Sequence, residues 1–413
     1  MKKLLPIIAA LLVALSASAV RYAGGDISLL PEYQKAGAQY KTHDGTPITT
    51  LLPWLRDPGM NAMRVRLFVD PAAYTGSDKD PNACQSLDYI LPLCREINDA
   101  GLALMLDFHY SDTWADPAKQ YTPAAWSGLN DEQLVAKINE YTKDVLTRLK
   151  AEGIVPAFIQ TGNEISYGML WGPLGTPDNQ LHKTLMGSDA NWNRLGSLLK
   201  SAIAACREVC PDAKIIIHTE RVAQINVTDN FYDKMKSLGV DYDIIGLSYY
   251  PYFHGPMNVL KNTLDNLSGR YPDKNIMIVE TGYSYKWEVP GTTIDNTGKY
   301  PYSDEGQNLF MKDLVDLCES YTAVNGIFWW WMEYNAFGTS LSGWYNAPLF
   351  DSLTGRATAA LTTLASFADG DNGISLPTVT PTADDTWYDL SGRPVARPAQ
   401  GQLYIHNHRV IKY

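Results

Sequence analysis

The stretch Ala157-Phe158-Ile159-Gln160-Thr161-Gly162-Asn163-Glu164-Ile165 decides the fold. A short apolar run gives way to a glycine-hinged polar turn that carries an amide and a carboxylate side by side. Such a run, bounded by Gly and polar residues, reads as a buried parallel strand. Its last residues emerge at the strand's carboxyl end, where α/β folds place their chemistry. Asn and Glu at a strand–helix junction also serve as helix caps, so this stretch alone leaves catalysis and capping open.

Asn275-Ile276-Met277-Ile278-Val279-Glu280-Thr281-Gly282-Tyr283 repeats the pattern and delivers a second Glu at the end of an apolar, β-rich run. The two carboxylates are too distant in sequence for a local helix or turn to pair them. A closed barrel gathers distant strand ends into one mouth. Working outward, strand-like runs occur at 22–27, 62–69, 102–108, before Glu164, at 214–218, 244–249, before Glu280, and at 326–330. Helical patterns such as 90–100, 131–150, 192–209 and 305–321 lie between them. Eight alternations predict a (β/α)8 TIM barrel with its active mouth at the strand ends.

The flanks are of different character. Met1-Lys2-Lys3, an apolar stretch over 4–15 and Ala17-Ser18-Ala19 read as a secretory signal peptide at 1–19. No later apolar run is long enough to span a bilayer. A catalytic domain is expected over 20–368 and a Gly/Asp- then Pro/Thr-rich linker over 369–384. A short β-rich tail follows over 385–413. The tail resembles the end of the sorting domains that Bacteroidetes use for type IX secretion, although it is shorter. The expected location is therefore outside the cytoplasm: periplasmic, cell-surface or extracellular.

Composition narrows the partner. Of the 413 residues, 45% are hydrophobic and 19% charged, which is ordinary for a globular chain and excludes general disorder. The net charge of −11 disfavours nucleic acid and anionic membranes. Eleven Trp and twenty-five Tyr supply flat faces with polar edges that suit sugar rings. Five cysteines form an odd set whose spacings match no zinc motif, and Cys206 and Cys210 sit too far apart on a helix for a disulfide. No disulfide framework is expected.

The exit of the third strand, Leu104 through Asp107-Phe108-His109-Tyr110-Ser111-Asp112-Thr113-Trp114 to Gln120, is dense in polar and aromatic groups. Here the chain resembles the glycoside hydrolase family 53 endo-β-1,4-galactanases, in a clan of retaining (β/α)8 glycosidases. The resemblance extends to Arg64-Val65-Arg66, Gly162-Asn163-Glu164, Ser248-Tyr249-Tyr250-Pro251, Glu280-Thr281-Gly282-Tyr283 and Gly343-Trp344. It implies that Glu164 is the acid/base and Glu280 the nucleophile. The reaction needs such a pair, one carboxyl protonated and one ionised, about 5 to 5.5 Å apart. Arg64 and Arg66 alternate onto one strand face, where a guanidinium would keep Glu280 ionised or serve as an internal ion-pair partner. Asn163 suits a sugar 2-hydroxyl. Asp107, His109, Tyr110, Asp112, Trp114, Tyr249, Trp330 and Trp344 complete the expected binding set, with His109 either a sugar contact or a supporting hydrogen-bonder behind one and Trp126 either platform or core.

The expected enzyme is a secreted, monomeric endo-β-1,4-galactanase acting on galactan of pectin or type I arabinogalactan. Another retaining β-glycanase, a mannanase or cellulase, or a non-catalytic glycan binder are the alternatives. No cofactor is expected. Some family members bind calcium beyond strand 7, but residues 284–302 offer only Glu288, Asp295 and carbonyls, too few for a six- to eight-coordinate site.

Overall fold

Eight parallel strands close into a barrel in the computed structural model, which describes residues 20–175, 182–184, 187–339 and 347–369, with 387–388, 394–395, 400, 403–406 and 409–412 of the tail. In chain order they are β1 (Tyr22–Asp26), β2 (Ala62–Leu67), β3 (Ala103–Phe108), β4 (Phe158–Thr161), β5 (Lys214–Thr219), β6 (Ile244–Tyr249), β7 (Asn275–Thr281) and β8 (Val324–Trp329). Each pairs with its sequence neighbours, and β1 closes against β8. The expected barrel is therefore present, with the eighth strand beginning two residues earlier than its tryptophan run suggested.

Helices fill the crossovers: α1 (Leu51–Leu55), α2 (Leu87–Asp99), α3 (Asp131–Ala151), α4 (Asp189–Val209), α5 (Ile225–Ser237), α6 (Met257–Arg270), α7 (Asp304–Glu319) and α8 (Ala359–Ser366). Their starts are set locally. Asn130 and Gln133 form a reciprocal capping box on α3, and Ser303 accepts the Gly306 amide on α7.

The strands are buried on both faces, which is why their sequences run apolar without alternation. The inward face nonetheless has a gradient along the barrel axis. Ala62, Met105, Phe158, Ile216, Ile244, Met277, Val279 and Phe328 pack together as one interior cluster. Two residues further along β2 to β5 stand Arg64, Asp107, Gln160 and His218, all buried. An apolar plug thus supports a polar floor at the carboxyl ends. Close approach at the β1–β2 contact demands glycine, since a Cβ on Gly24 would lie 1.8 Å from the Ala62 carbonyl oxygen.

One irregularity positions the site. Between β6 and β7 the register steps from Leu247↔Ile278 to Ser248↔Glu280, so Val279 is an extra residue. Met277 and Val279 both pack inside. A strict two-residue alternation would therefore send Glu280 outward, and the bulge turns it into the mouth.

All five cysteines are free thiols, four of them buried. The expected leader at 1–19 lies outside the described residues, as does the expected linker save for Asp369. The chain divides into two units, 1–370 and 371–413. In the second, Trp387–Tyr388, Pro394–Val395, Leu403–His406 and Arg409–Lys412 form a four-stranded antiparallel sheet. Among the described residues no helix is long and apolar enough to cross a membrane.

Candidate active site

The carboxyl ends of the barrel strands open into a cleft of ≈ 520 Å³ that both Glu164 and Glu280 line. The β4 turn explains how Glu164 arrives there. Gly162 takes φ 102° and Glu164 itself φ 48°, a left-handed conformation that costs a non-glycine residue on the order of 1–3 kcal/mol. Its side chain makes no capping bond to the 3₁₀ turn Ile165–Tyr167 that follows. Capping, the alternative that the sequence left open, is therefore not what this carboxyl does.

A buried polar relay holds Glu164 instead. Ser248 Oγ donates to Glu164 Oε1 at 2.6 Å, and His218 Nε2 lies 2.8 Å from Ser248 Oγ. His218 Nδ1 accepts the Glu164 amide at 3.4 Å and faces Gln160 Nε2 at 3.1 Å. The same Nδ1 lies 3.0 Å from Asn163 Oδ1. Burial and the nearby Arg64 charge hold the His218 pKa well below its ordinary value, which keeps the imidazole neutral.

Glu280 sits among different neighbours. Arg64 Nη2 approaches its Oε1 at 2.9 Å and Tyr250 donates its hydroxyl to Oε2 at 2.9 Å. Arg64 is itself clamped, with Nη2 2.8 Å from Asp107 Oδ2 and Nη1 3.4 Å from Asp26 Oδ2. Burial raises the pKa of both glutamates. Glu164 is pushed well above the carboxylate range, since burial is reinforced by the charges of Glu280 and Glu220. For Glu280, burial is opposed by the Arg64 charge and the Tyr250 hydrogen bond, so its rise is smaller. Glu280 therefore ionises first and Glu164 keeps its proton.

Of the expected binding residues, Trp114, Asn163 and Trp330 line the cleft. Arg64, Arg66, Asp107 and His109 lie beneath it: Arg64 is the guanidinium beside Glu280 and Arg66 an internal ion-pair partner, while Asp107 and His109 act through others, which corrects the substrate-binding place given to Asp107. Asp107 takes Arg64, His109 Nε2 at 3.1 Å and Gln160 Nε2 at 2.5 Å. Arg66 pairs with Asp26 at 2.6 Å and underlies Trp114, Trp330 and Trp331, with its guanidinium carbon 4.7 to 5.3 Å from their ring centroids. His109 Nδ1 accepts the Ala115 amide.

Three expectations fail outright on position. Tyr110 stacks on Phe108 and bonds Thr142 Oγ1 at 2.8 Å, buried on the helix side of β3. Asp112 spends both oxygens on the Asp70 and Ala124 amides. Tyr249 gives its hydroxyl to the Gly255 carbonyl away from the cleft. Trp126 is core, packed edge-on against Tyr141, and Trp344 lies outside the described residues. The sequence reasoning missed Tyr250, Tyr252, Phe253, Glu220, Asp80 and Asp116, all on the cleft wall. Two were findable by parity, because Tyr250 continues the inward series from Ile244 through Ser248 and Glu220 continues that from Ile216 through His218.

Among the described residues no group of three His, Cys, Asp or Glu side chains could hold a metal ion. The arrangement is two carboxyl groups of unlike acidity lining one aromatic-walled cleft, a device for acid-assisted displacement at an acetal carbon.

Comparison with known proteins agrees with that chemistry. The model of glycosyl hydrolase family 53 matches residues 22–364. A Niallia circulans protein described as an uncharacterized protein in the bgaB 5′ region is 37% identical over 316 residues, 75% of this chain and 82% of its own. The probable arabinogalactan endo-β-1,4-galactanase A of Aspergillus fumigatus is 31% identical over 352 residues, 82% of this chain and 92% of its own. The solved GH53 catalytic domain of Ignisphaera aggregans superposes with a TM-score of 0.71 at 30% identity, covering 87% of this chain and 99% of that domain. This chain therefore belongs to glycosyl hydrolase family 53 and is a glycoside hydrolase.

Proposed function

We propose that the protein is a secreted retaining endo-β-1,4-galactanase that hydrolyses β-1,4-galactan, in pectin side chains or type I arabinogalactan, by double displacement. The observation that carries this reading is the contrast between the two cleft carboxyls, one hydrogen-bonded to a neutral relay and one paired with Arg64. The galactanase name of the Aspergillus relative supports the substrate, and the leader-like residues 1–19 support export.

In the first step Glu280 attacks the anomeric carbon while Glu164 gives its proton to the departing glycosidic oxygen. The ester on Glu280 is then opened by water, whose proton Glu164 takes back. Arg64 and Tyr250 stabilise the carboxylate of Glu280 before attack and after release. Asn163 has its Oδ1 on Arg64 at 2.9 Å and its Nδ2 on the Ala115 carbonyl at 2.8 Å. Its remaining amide hydrogen suits the 2-hydroxyl, a contact that tightens in the oxocarbenium-like transition state. The two displacements as written need no metal or cofactor. A panel of galactan, mannan and cellulose tests the substrate: galactan alone should release oligosaccharides, and preference for either other polymer overturns the assignment.

Two predictions follow from the cleft walls. Tyr250→Phe removes a donor that lowers the Glu280 pKa. The acidic limb of the kcat/KM profile, set by ionisation of Glu280, should move to higher pH, and the optimum should fall by roughly tenfold to a hundredfold. An unmoved acidic limb means that Tyr250 does not tune the nucleophile. Trp330→Ala removes the ring that lies edge-on to Trp114 at 5.9 Å. It should cost on the order of a hundredfold in kcat/KM on galactan, mostly in KM, with both carboxyls left in place. Unchanged kinetics with a large drop in melting temperature would make Trp330 a packing residue.

A further inference from the structure

Glu220 is a cleft carboxyl that the two-glutamate mechanism leaves unused. It follows β5 on the same strand parity as His218, and only 7% of it is exposed. The other spare acids on the wall are occupied: Asp80 accepts the Trp114 indole N–H at 2.9 Å, and Asp116 takes the Ala118 amide at 2.7 Å and the Lys119 amide at 3.1 Å. Glu220 receives a hydrogen bond from Ser166 Oγ on Oε1, and Arg221 Nε comes no nearer that oxygen than 4.0 Å. Its Oε2 is buried and has no hydrogen-bond partner among the described residues. A desolvated carboxyl oxygen left unpaired is costly, so a cleft that keeps one gains most when a ligand hydroxyl meets it.

The position of that oxygen says which sugar it meets. Ser166 is two residues beyond Glu164, which places Glu220 on the acid/base side of the cleft. Glu280 is held by Arg64, whose guanidinium carbon lies 5.7 Å from the Trp330 ring centroid. The sugar that forms the ester lies with Glu280, and the departing sugar lies with Glu164. Phe253 lines the same cleft, is 42% exposed, and is braced edge-on by Tyr252 at 4.6 Å. An exposed phenyl ring held in place is a platform for an apolar sugar face.

We propose that Glu220 and Phe253 form the subsite that holds the leaving-group sugar, with Glu220 Oε2 hydrogen-bonded to one of its hydroxyls and Phe253 beneath its ring. The subsite rests on the assignment of Glu164 as the proton donor, because that assignment decides where the departing sugar lies. The same subsite receives an acceptor sugar in reverse. From the galactobiosyl ester on Glu280, water or the 4-hydroxyl of added galactobiose attacks the anomeric carbon. The bond from that carbon to the Glu280 oxygen breaks, and the acceptor's proton passes to Glu164. Both acceptors use the same base, so their ratio reads sugar binding and not the acidity of Glu164.

The test supplies 4-nitrophenyl β-1,4-galactobioside as donor and galactobiose as acceptor, and measures the ratio of transfer to hydrolysis for the full-length enzyme, Glu220→Ala, Glu220→Gln and Phe253→Ala. The transfer ratio should fall at least tenfold in Glu220→Ala and in Phe253→Ala. Glu220→Gln, which keeps a hydrogen-bonding group and guards against a misfolded alanine variant, should fall less. Galactan kcat/KM should fall in parallel. An unchanged ratio with reduced galactan hydrolysis means that Glu220 acts only through Glu164 and overturns the subsite. An unchanged ratio with unchanged hydrolysis overturns it as well. Failure of the unsubstituted enzyme to cleave galactan is a different result, and it removes the galactanase reading itself.

Discussion

Glu280→Gly should abolish galactan hydrolysis, with an expected loss on the order of 10⁵-fold or more, because it removes the attacking carboxylate that Arg64 holds in the cleft. The loss has a signature that a structural carboxylate lacks. Removing the side chain leaves space beside Arg64 for a small anion, so azide or formate should restore part of the cleavage of an aryl galactobioside. The guanidinium that held Glu280 at 2.9 Å is available to hold the added anion. The product should be the α-galactosyl azide, formed by one inversion. Absence of any rescue, in a variant with an intact melting transition, removes Glu280 from the nucleophile role.

Glu164→Gln separates the acid from the nucleophile. The amide preserves the contact with Ser248 Oγ but has no proton of suitable acidity for a sugar leaving group, so galactan kcat/KM should fall by on the order of 10²- to 10⁴-fold. An aryl galactobioside with a good leaving group should still form the ester at close to its normal rate. The ester then accumulates for want of a base, which a burst of nitrophenol reads directly. The alkaline limb of the kcat/KM profile should also vanish, because it reports the raised Glu164 pKa. Wild-type turnover of galactan by this variant would contradict the assignment.

The barrel was legible because parallel strands covered on both faces must be apolar along their whole length, and eight such runs alternate with helical patterns. The two glutamates were legible for the same reason, since each breaks an apolar run at its carboxyl end. What could not be read was the bulge at Val279, because a run of Ile, Met, Ile and Val is equally apolar on both faces and hides which of its residues points inward. The Tyr249-Tyr250 choice went to the wrong residue where parity counted from Ile244 would have favoured Tyr250. Asp112 and Tyr110 look functional in a dense polar exit, yet Asp112 is spent on the Asp70 and Ala124 amides and Tyr110 on the Thr142 hydroxyl of α3. Arg64 stands beside Glu280 and Arg66 in an internal ion pair, the two readings that their shared strand face left open, whereas Asp107 lies one layer below the cleft. Such depth is set by how far each inward side chain stands above the apolar plug, which no linear pattern records.

Proton NMR of the first galactan products, recorded before mutarotation, tests the central claim most directly. Two displacements, with Glu280 as the intermediate's anchor, predict that the new reducing end appears first as the β anomer. An initial α anomer requires a single displacement by water, with carboxyl groups about 6.5 to 9.5 Å apart, and would contradict the nucleophile role of Glu280 whichever polymer is cut.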